Sequence, residues 1–113
     1  APEVKPEIQF DDFQKMDIRT GTILAAEKVP KTKKLLKLSV DLGFETRTVV
    51  SGIAEYYRPE DIKGQQVCLL VNLAPRKIKG IESKGMILMA ENEDGRLMFV
   101  SPEEQFENGA LIR

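Results

Sequence analysis

Nine basic side chains gathered in two short stretches are the residues of this 113-residue chain with the most pronounced chemistry. Lys28 to Leu38 (KVPKTKKLLKL) holds Lys28, Lys31, Lys33, Lys34 and Lys37 with no acid, and so carries +5. Asn72 to Gly85 (NLAPRKIKGIESKG) sets Arg76, Lys77, Lys79 and Lys84 against Glu82 and carries +3. The other 88 residues hold 8 of the 17 bases and 17 of the 18 acids, so they carry −9 and the whole is −1. Near-neutral totals ordinarily argue against nucleic-acid binding, but the distribution reverses that reading. Ammonium and guanidinium groups concentrated this way meet phosphates or carboxylates. A lone charge run is usually just a solvated face. Two runs that each join strands are more informative, because barrel connections can converge on one rim. Only seven residues are Phe or Tyr, and none lies in either stretch, whereas generic single-strand binders interleave aromatics for base stacking. Phe44, Tyr56 and Tyr57 are expected in the core or at its edge. Backbone contact with a folded RNA fits the composition better.

Covalent and metal chemistry find little footing. The chain has no histidine, so the commonest general base and transition-metal ligand is missing. Cys68 is the one cysteine; it permits no intrachain disulfide and no thiolate zinc site, and core packing is expected for it. Gly80-Ile81-Glu82-Ser83-Lys84-Gly85 has two glycines at phosphate-loop spacing, but Met86 stands where the loop's lysine belongs. Asn92-Glu93-Asp94-Gly95 lacks the distal Glu of a calcium loop and reads as a turn. Ser83 beside Lys84 is a nucleophile and base in type only, since neighbours on a loop point apart. No cofactor or metal is expected.

These side chains must be positioned by short strands. Leu36, Leu38, Val40 and Leu42 alternate with polar residues, the clearest period-two stretch. Asp17 to Val29 predicts a long first strand bent near Gly21. Gly43 turns the chain into Glu45 to Ser51, and Pro59 suits the first turn of a short helix closed by Gly64. Val67 to Leu73 and Met86 to Ala90 predict strands buried on both faces, with a polar loop between them. Asp94-Gly95 predicts a hairpin into Arg96 to Val100. Two capping boxes are expected to start helices, one with Asp11 and Gln14 and ending near Met16, the other at Ser101-Pro102-Glu103-Glu104. About six strands with small helical inserts predict an all-β fold, a small closed or partly open barrel. An OB-fold β-barrel leads, and an SH3-like barrel is not excluded by periodicity.

At Asn72-Leu73-Ala74-Pro75-Arg76-Lys77, followed by Gly80, Ser83, Gly85 and Met86, the sequence resembles the signature of the C-terminal tRNA-binding domain of bacterial methionyl-tRNA synthetases. The resemblance runs from Phe10 to Ile112, through Asp17-Ile18-Arg19, Lys34-Leu35-Leu36-Lys37-Leu38 and Val50-Ser51-Gly52-Ile53-Ala54. Free-standing bacterial tRNA-binding proteins and a chaperone-like relative share that family. It implies an OB-fold with C-terminal additions, homodimerisation, and tRNA recognised by folded shape. The matched positions implicate Lys34, Arg76 and Lys77 at phosphates, Asn72 and Ser83 as hydrogen-bonding groups, and Met86 packed apolarly beneath the loop. Lys31, Lys33, Lys79 and Lys84 join this set by charge and position. Pro30-Lys31-Thr32-Lys33 departs from the small or acidic residues that relatives often carry there, which raises the loop's charge and leaves its shape open. The synthetase's HIGH-like and KMSKS-like catalytic strings are absent.

Ala1 to Gln9 (APEVKPEIQ), with two prolines and alternating charge, is expected to be a linker remnant before a single domain over 10–113. Composition fits an excised C-terminal domain and a complete free-standing protein equally, and the resemblance implies a covalently linked synthetase catalytic domain in the first case. The apolar run Val67 to Val71 falls far short of the roughly 20 residues of a membrane span, and a cytoplasmic setting is expected. Leu111 and Ile112 end the chain with apolar side chains that need cover, weak support for a dimer.

Overall fold

The computed structural model describes residues 2–113. Helix α1 (Phe10–Gln14) leads into β1 (Ile18–Lys28), β2 (Leu36–Asp41) and β3 (Thr46–Ser51). Helix α2 (Pro59–Ile62) precedes β4 (Gln66–Leu70). Five short strands follow: β5 (Arg76–Ile78), β6 (Ile81–Ser83), β7 (Met86–Ile87), β8 (Met89–Glu91) and β9 (Leu97–Phe99).

The alternation in β2 builds the core as expected. Leu36, Leu38, Val40 and Leu42 are fully buried against Ile23, Val49, Val67 and Leu69, each contributing about 1.5–3 kcal/mol on burial. Their sheet is antiparallel in the order β3-β2-β1-β4-β7. It comes back on itself where the Lys84 N–H, just ahead of β7, donates to the Thr48 carbonyl of β3 at 3.0 Å. This nearly closed five-stranded barrel, with α2 between its third and fourth strands, is an OB-fold and decides against the SH3-like alternative. Pro59 sits in the first turn of α2, and Gly43 and Gly95 turn their hairpins with φ of 86° and 82°.

The C-terminal segment docks along the first half of β1. Thr20 N–H donates to Ala110 C=O at 3.0 Å, and Gly109 N–H returns a bond to Thr20 C=O at 2.8 Å. Gly109 has φ 84°, and a Cβ there would lie 2.5 Å from the Leu42 carbonyl oxygen, so the close approach needs glycine.

Several expectations are corrected. The irregularity in β1 falls between Ile23 and Ala25 instead of at Gly21. Gly21 is there for packing, since a Cβ would come within 2.8 Å of Val40 Cγ1. α1 is capped from Gln9, whose N–H donates to Asp12 Oδ2 at 3.0 Å, and not by the Asp11–Gln14 pair. Met86 to Ala90 is no single buried strand: it divides at Leu88 into β7 and β8, which belong to different sheets. The Ser101–Glu104 box starts no helix. Barrel side chains take the backbone just beyond it: Gln66 bonds both the N–H and the C=O of Phe106, at 3.1 and 2.7 Å, and Thr20 Oγ1 donates to Glu107 C=O at 2.6 Å. The polar loop after β4 holds a two-stranded ribbon, β5 with β6, which is part of why nine strands appear among the described residues where about six were expected.

Candidate nucleic-acid interface

The ribbon presents the second basic stretch. Lys79 and Gly80 form its two-residue turn with φ of 50° and 80°, the pair of left-handed conformations a type I′ hairpin requires. Asn is the usual partner of Gly in that turn, and a lysine there carries a backbone penalty of about 1 kcal/mol. Directly opposed residues of a ribbon share a face. Arg76 therefore lies with Ser83, and Ile78 with Ile81, while Lys77 and Glu82 share the opposite face.

Ser83 fastens the ribbon to the barrel. It is 5% exposed, and its Oγ accepts the Val50 N–H at 2.9 Å. Asn72 fastens the ribbon's other root. Its Oδ1 accepts the Asp17 N–H at 2.9 Å and its Nδ2 donates to the Lys15 carbonyl at 2.7 Å, tying the end of β4 to the segment between α1 and β1. The principal polar contacts of both side chains are thus made within the protein.

Pro30 and Lys31 shape the first basic stretch. Thr32 N–H bonds Val29 C=O at 3.2 Å around Pro30 and Lys31, with Lys31 at φ 64°. Proline at the second position of a turn followed by a left-handed residue is the type II pattern. The loop is anchored where Ala54 N–H donates to Lys34 C=O at 2.9 Å. That bond sets Leu35 beside Val50 to Ile53.

Both stretches consequently contribute to one open groove of about 410 Å³, lined by Leu35 from the first, by Arg76 and Ile78 from the second, by Met86 of β7, and by the end of β3. Lys31, Lys33, Lys34, Arg76, Lys77 and Lys79 are exposed and make no ion pair among the described residues. Lys84 reaches Glu82 at 3.6 Å and Lys37 reaches Glu27 at 3.7 Å, so those two are partly neutralised. Met86 is 55% exposed on the groove wall, where packing beneath the loop was expected. As one end of the two-residue strand β7, it faces away from its buried neighbour Ile87. Gly52, just after β3, and Met89 and Glu91, from the β8–β9 ribbon, also line the groove and were not among the expected site residues, because nothing local marks which residues the fold brings to it. Of the aromatics, Tyr57 packs on Phe99 with ring centroids 4.7 Å apart, while Phe44 lies under the Arg19 guanidinium. Cys68 is buried in β4, and desolvation raises its thiol pKa, which keeps it protonated and unreactive.

An OB barrel with a free arginine in its open groove and further free cations on the two segments that contribute to the groove wall has the form of a polyanion-binding module. The chain belongs to the family described as "Putative tRNA binding domain", whose family model matches residues 18–111. It is 64% identical to the methionine–tRNA ligase of Cytophaga hutchinsonii over 97% of this chain, and 58% identical to that of Flavobacterium johnsoniae over 99%. It spans 16% of the length of each of these relatives. Among solved structures, a methionyl-tRNA-synthetase-related protein from Pyrococcus horikoshii superposes with a TM-score of 0.90 at 40% identity, covering 96% of this chain and all of that one. The chaperone CsaA of Bacillus anthracis gives 0.86 at 30% identity, again over 96% of this chain and all of the other.

Proposed function

We propose that the chain is a non-catalytic, structure-specific tRNA-binding module of a cytoplasmic methionyl-tRNA synthetase, and that it raises the enzyme's hold on tRNA. The observation that carries this reading is that two basic stretches, holding six exposed cations without ion-pair partners among the described residues, each send a residue into the wall of one groove, Leu35 from the first and Arg76 from the second, on an otherwise acidic body. A tethered second contact acts through effective concentration and adds affinity without altering the catalytic site. Lys31, Lys33, Lys34, Arg76, Lys77 and Lys79 are assigned to phosphates, with Lys84 supplementary and Met86 in apolar contact. Asn72 and Ser83 are positioning residues, which hold the ribbon at the angle that presents the cations.

Homodimerisation is part of the proposal. α1 buries none of its side chains, and Phe10 and Leu111 are 69% and 52% exposed around a hollow they share with Phe13, Met16 and Ile112. A contiguous apolar patch of this kind is covered in a stable assembly. A second reading, a free-standing chaperone-like protein, is favoured by full coverage of the Bacillus anthracis chaperone. The reading frame upstream separates the two: a catalytic domain there supports the first reading and a nearby start codon the second.

The test is Arg76→Ala. Phosphate contacts carry no sequence information. The variant is therefore expected to weaken binding of several tRNAs alike, to lower the slope of log affinity against log salt by about 1, and to leave thermal unfolding unchanged. Equal loss of folding and binding would make Arg76 structural.

A further inference from the structure

The groove is built for more than phosphate. Its walls are mainly aliphatic and thioether side chains, while Arg76 and Glu91 bring the two opposite charges to the same hollow. Opposed positions place Met89, Glu91 and Leu97 on one face of the β8–β9 ribbon, and all three line the groove. Glu91 makes no ion pair among the described residues. A carboxylate is out of place where only phosphates bind, because it repels them. It suits a ligand with an anionic end and a face of N–H donors. Gly52 lines the groove too, and a Cβ on it would meet nothing within 4 Å, so a larger side chain there would project into the open hollow. The fold itself has no steric need of a glycine there. The volume, about 410 Å³, falls within the roughly 300–1,000 Å³ of small-ligand sites.

We propose that the groove takes one unpaired guanine nucleotide of the bound RNA, its phosphate at Arg76, its base between Met86 and Met89, and its N1–H and N2–H donors on the Glu91 carboxylate. Guanine is the base whose edge offers two adjacent donors to match two carboxylate oxygens. Unpaired bases of a folded RNA are the ones a protein can take out of the stack. Met86 and Met89 supply polarisable, adaptable walls in place of the missing aromatics. This assignment rests on the RNA-binding reading above and deepens it.

The four methionines make the test direct, since Met16 and Met98 lie outside the groove and serve as internal controls. Methionine-methyl NMR of the domain is recorded during titration with guanosine, adenosine, cytidine and uridine 5′-monophosphates, with inorganic phosphate, and with tRNA. The Met86 and Met89 methyls are expected to shift with the guanosine nucleotide at about tenfold lower concentration than with the uridine one. Phosphate should leave them still. Glu91→Gln should abolish the preference, and Gly52→Leu should abolish the shifts while the backbone spectrum stays folded. Equal response to all four nucleotides, or a preference that survives Glu91→Gln, overturns the guanine assignment. If tRNA shifts the amides of Lys33 and Arg76 but neither groove methyl, the groove proposal fails and the RNA reading stands. If tRNA shifts nothing, both fail.

Discussion

Asn72 and Ser83 stand in the same short string as Arg76, yet the structure gives them different work. The amide of Asn72 bonds two backbone groups and the hydroxyl of Ser83 accepts a third, whereas the Arg76 guanidinium has no acidic partner among the described residues. Ser83→Ala leaves the Val50 N–H without its acceptor, and is expected to lower stability by about 1–3 kcal/mol, read as a fall in Tm. Asn72→Ala should behave similarly, towards the lower end because the residue is exposed. Binding by whichever molecules remain folded should keep the wild-type salt slope. A reduced slope with unchanged Tm would make these residues phosphate contacts instead. Composition identified the polar groups of this string, but whether such a group faces solvent or backbone depends on residues up to 57 positions away, as with Asn72 and Lys15. Sequence alone had no means of locating that partner.

At the scale of elements, the two basic segments share a device. Lys31 and Lys79 are the non-glycine residues with positive φ among the described residues, and each occupies a turn in its segment. Such conformations are sparsely populated for residues other than Gly and Asn. Lys79→Asn should therefore raise stability by up to about 1 kcal/mol while weakening RNA binding by the loss of one cation. Opposite signs in Tm and affinity check this; a loss of both would contradict the turn geometry. Elements with strong local signals were legible. The period-two pattern of β2, the Gly43 and Asp94-Gly95 turns and Pro59 all fall where the sequence placed them. The β5–β6 ribbon was not legible, because three-residue strands leave no periodicity and its Lys-Gly turn is not a favoured pair. Ser101 to Glu104 misled for the converse reason. Its local helix signal loses to bonds with Thr20 and Gln66, more than 30 residues away in the chain.

For the molecule as a whole, charge and apolar surface are separated. The body carries −9 and the two segments +8, so on the proposed reading an RNA is drawn to the side of the two segments and repelled elsewhere. The apolar patch around α1 and the chain's end is lined by a different set of residues from the groove, leaving the groove free when the patch is covered. Leu111→Glu is expected to convert a dimer to a monomer in sedimentation at micromolar concentration, since a charge would be buried without a partner. A wild-type monomer under those conditions would refute the dimer. Binding to tRNA and to an unstructured RNA of equal length, measured side by side over a fourfold range of salt, tests shape-directed recognition most directly. With about four to six phosphates engaged, tRNA should bind the more tightly and lose on the order of a hundredfold in affinity across that range. Equal affinity for the two RNAs, or tRNA binding indifferent to salt, would contradict it.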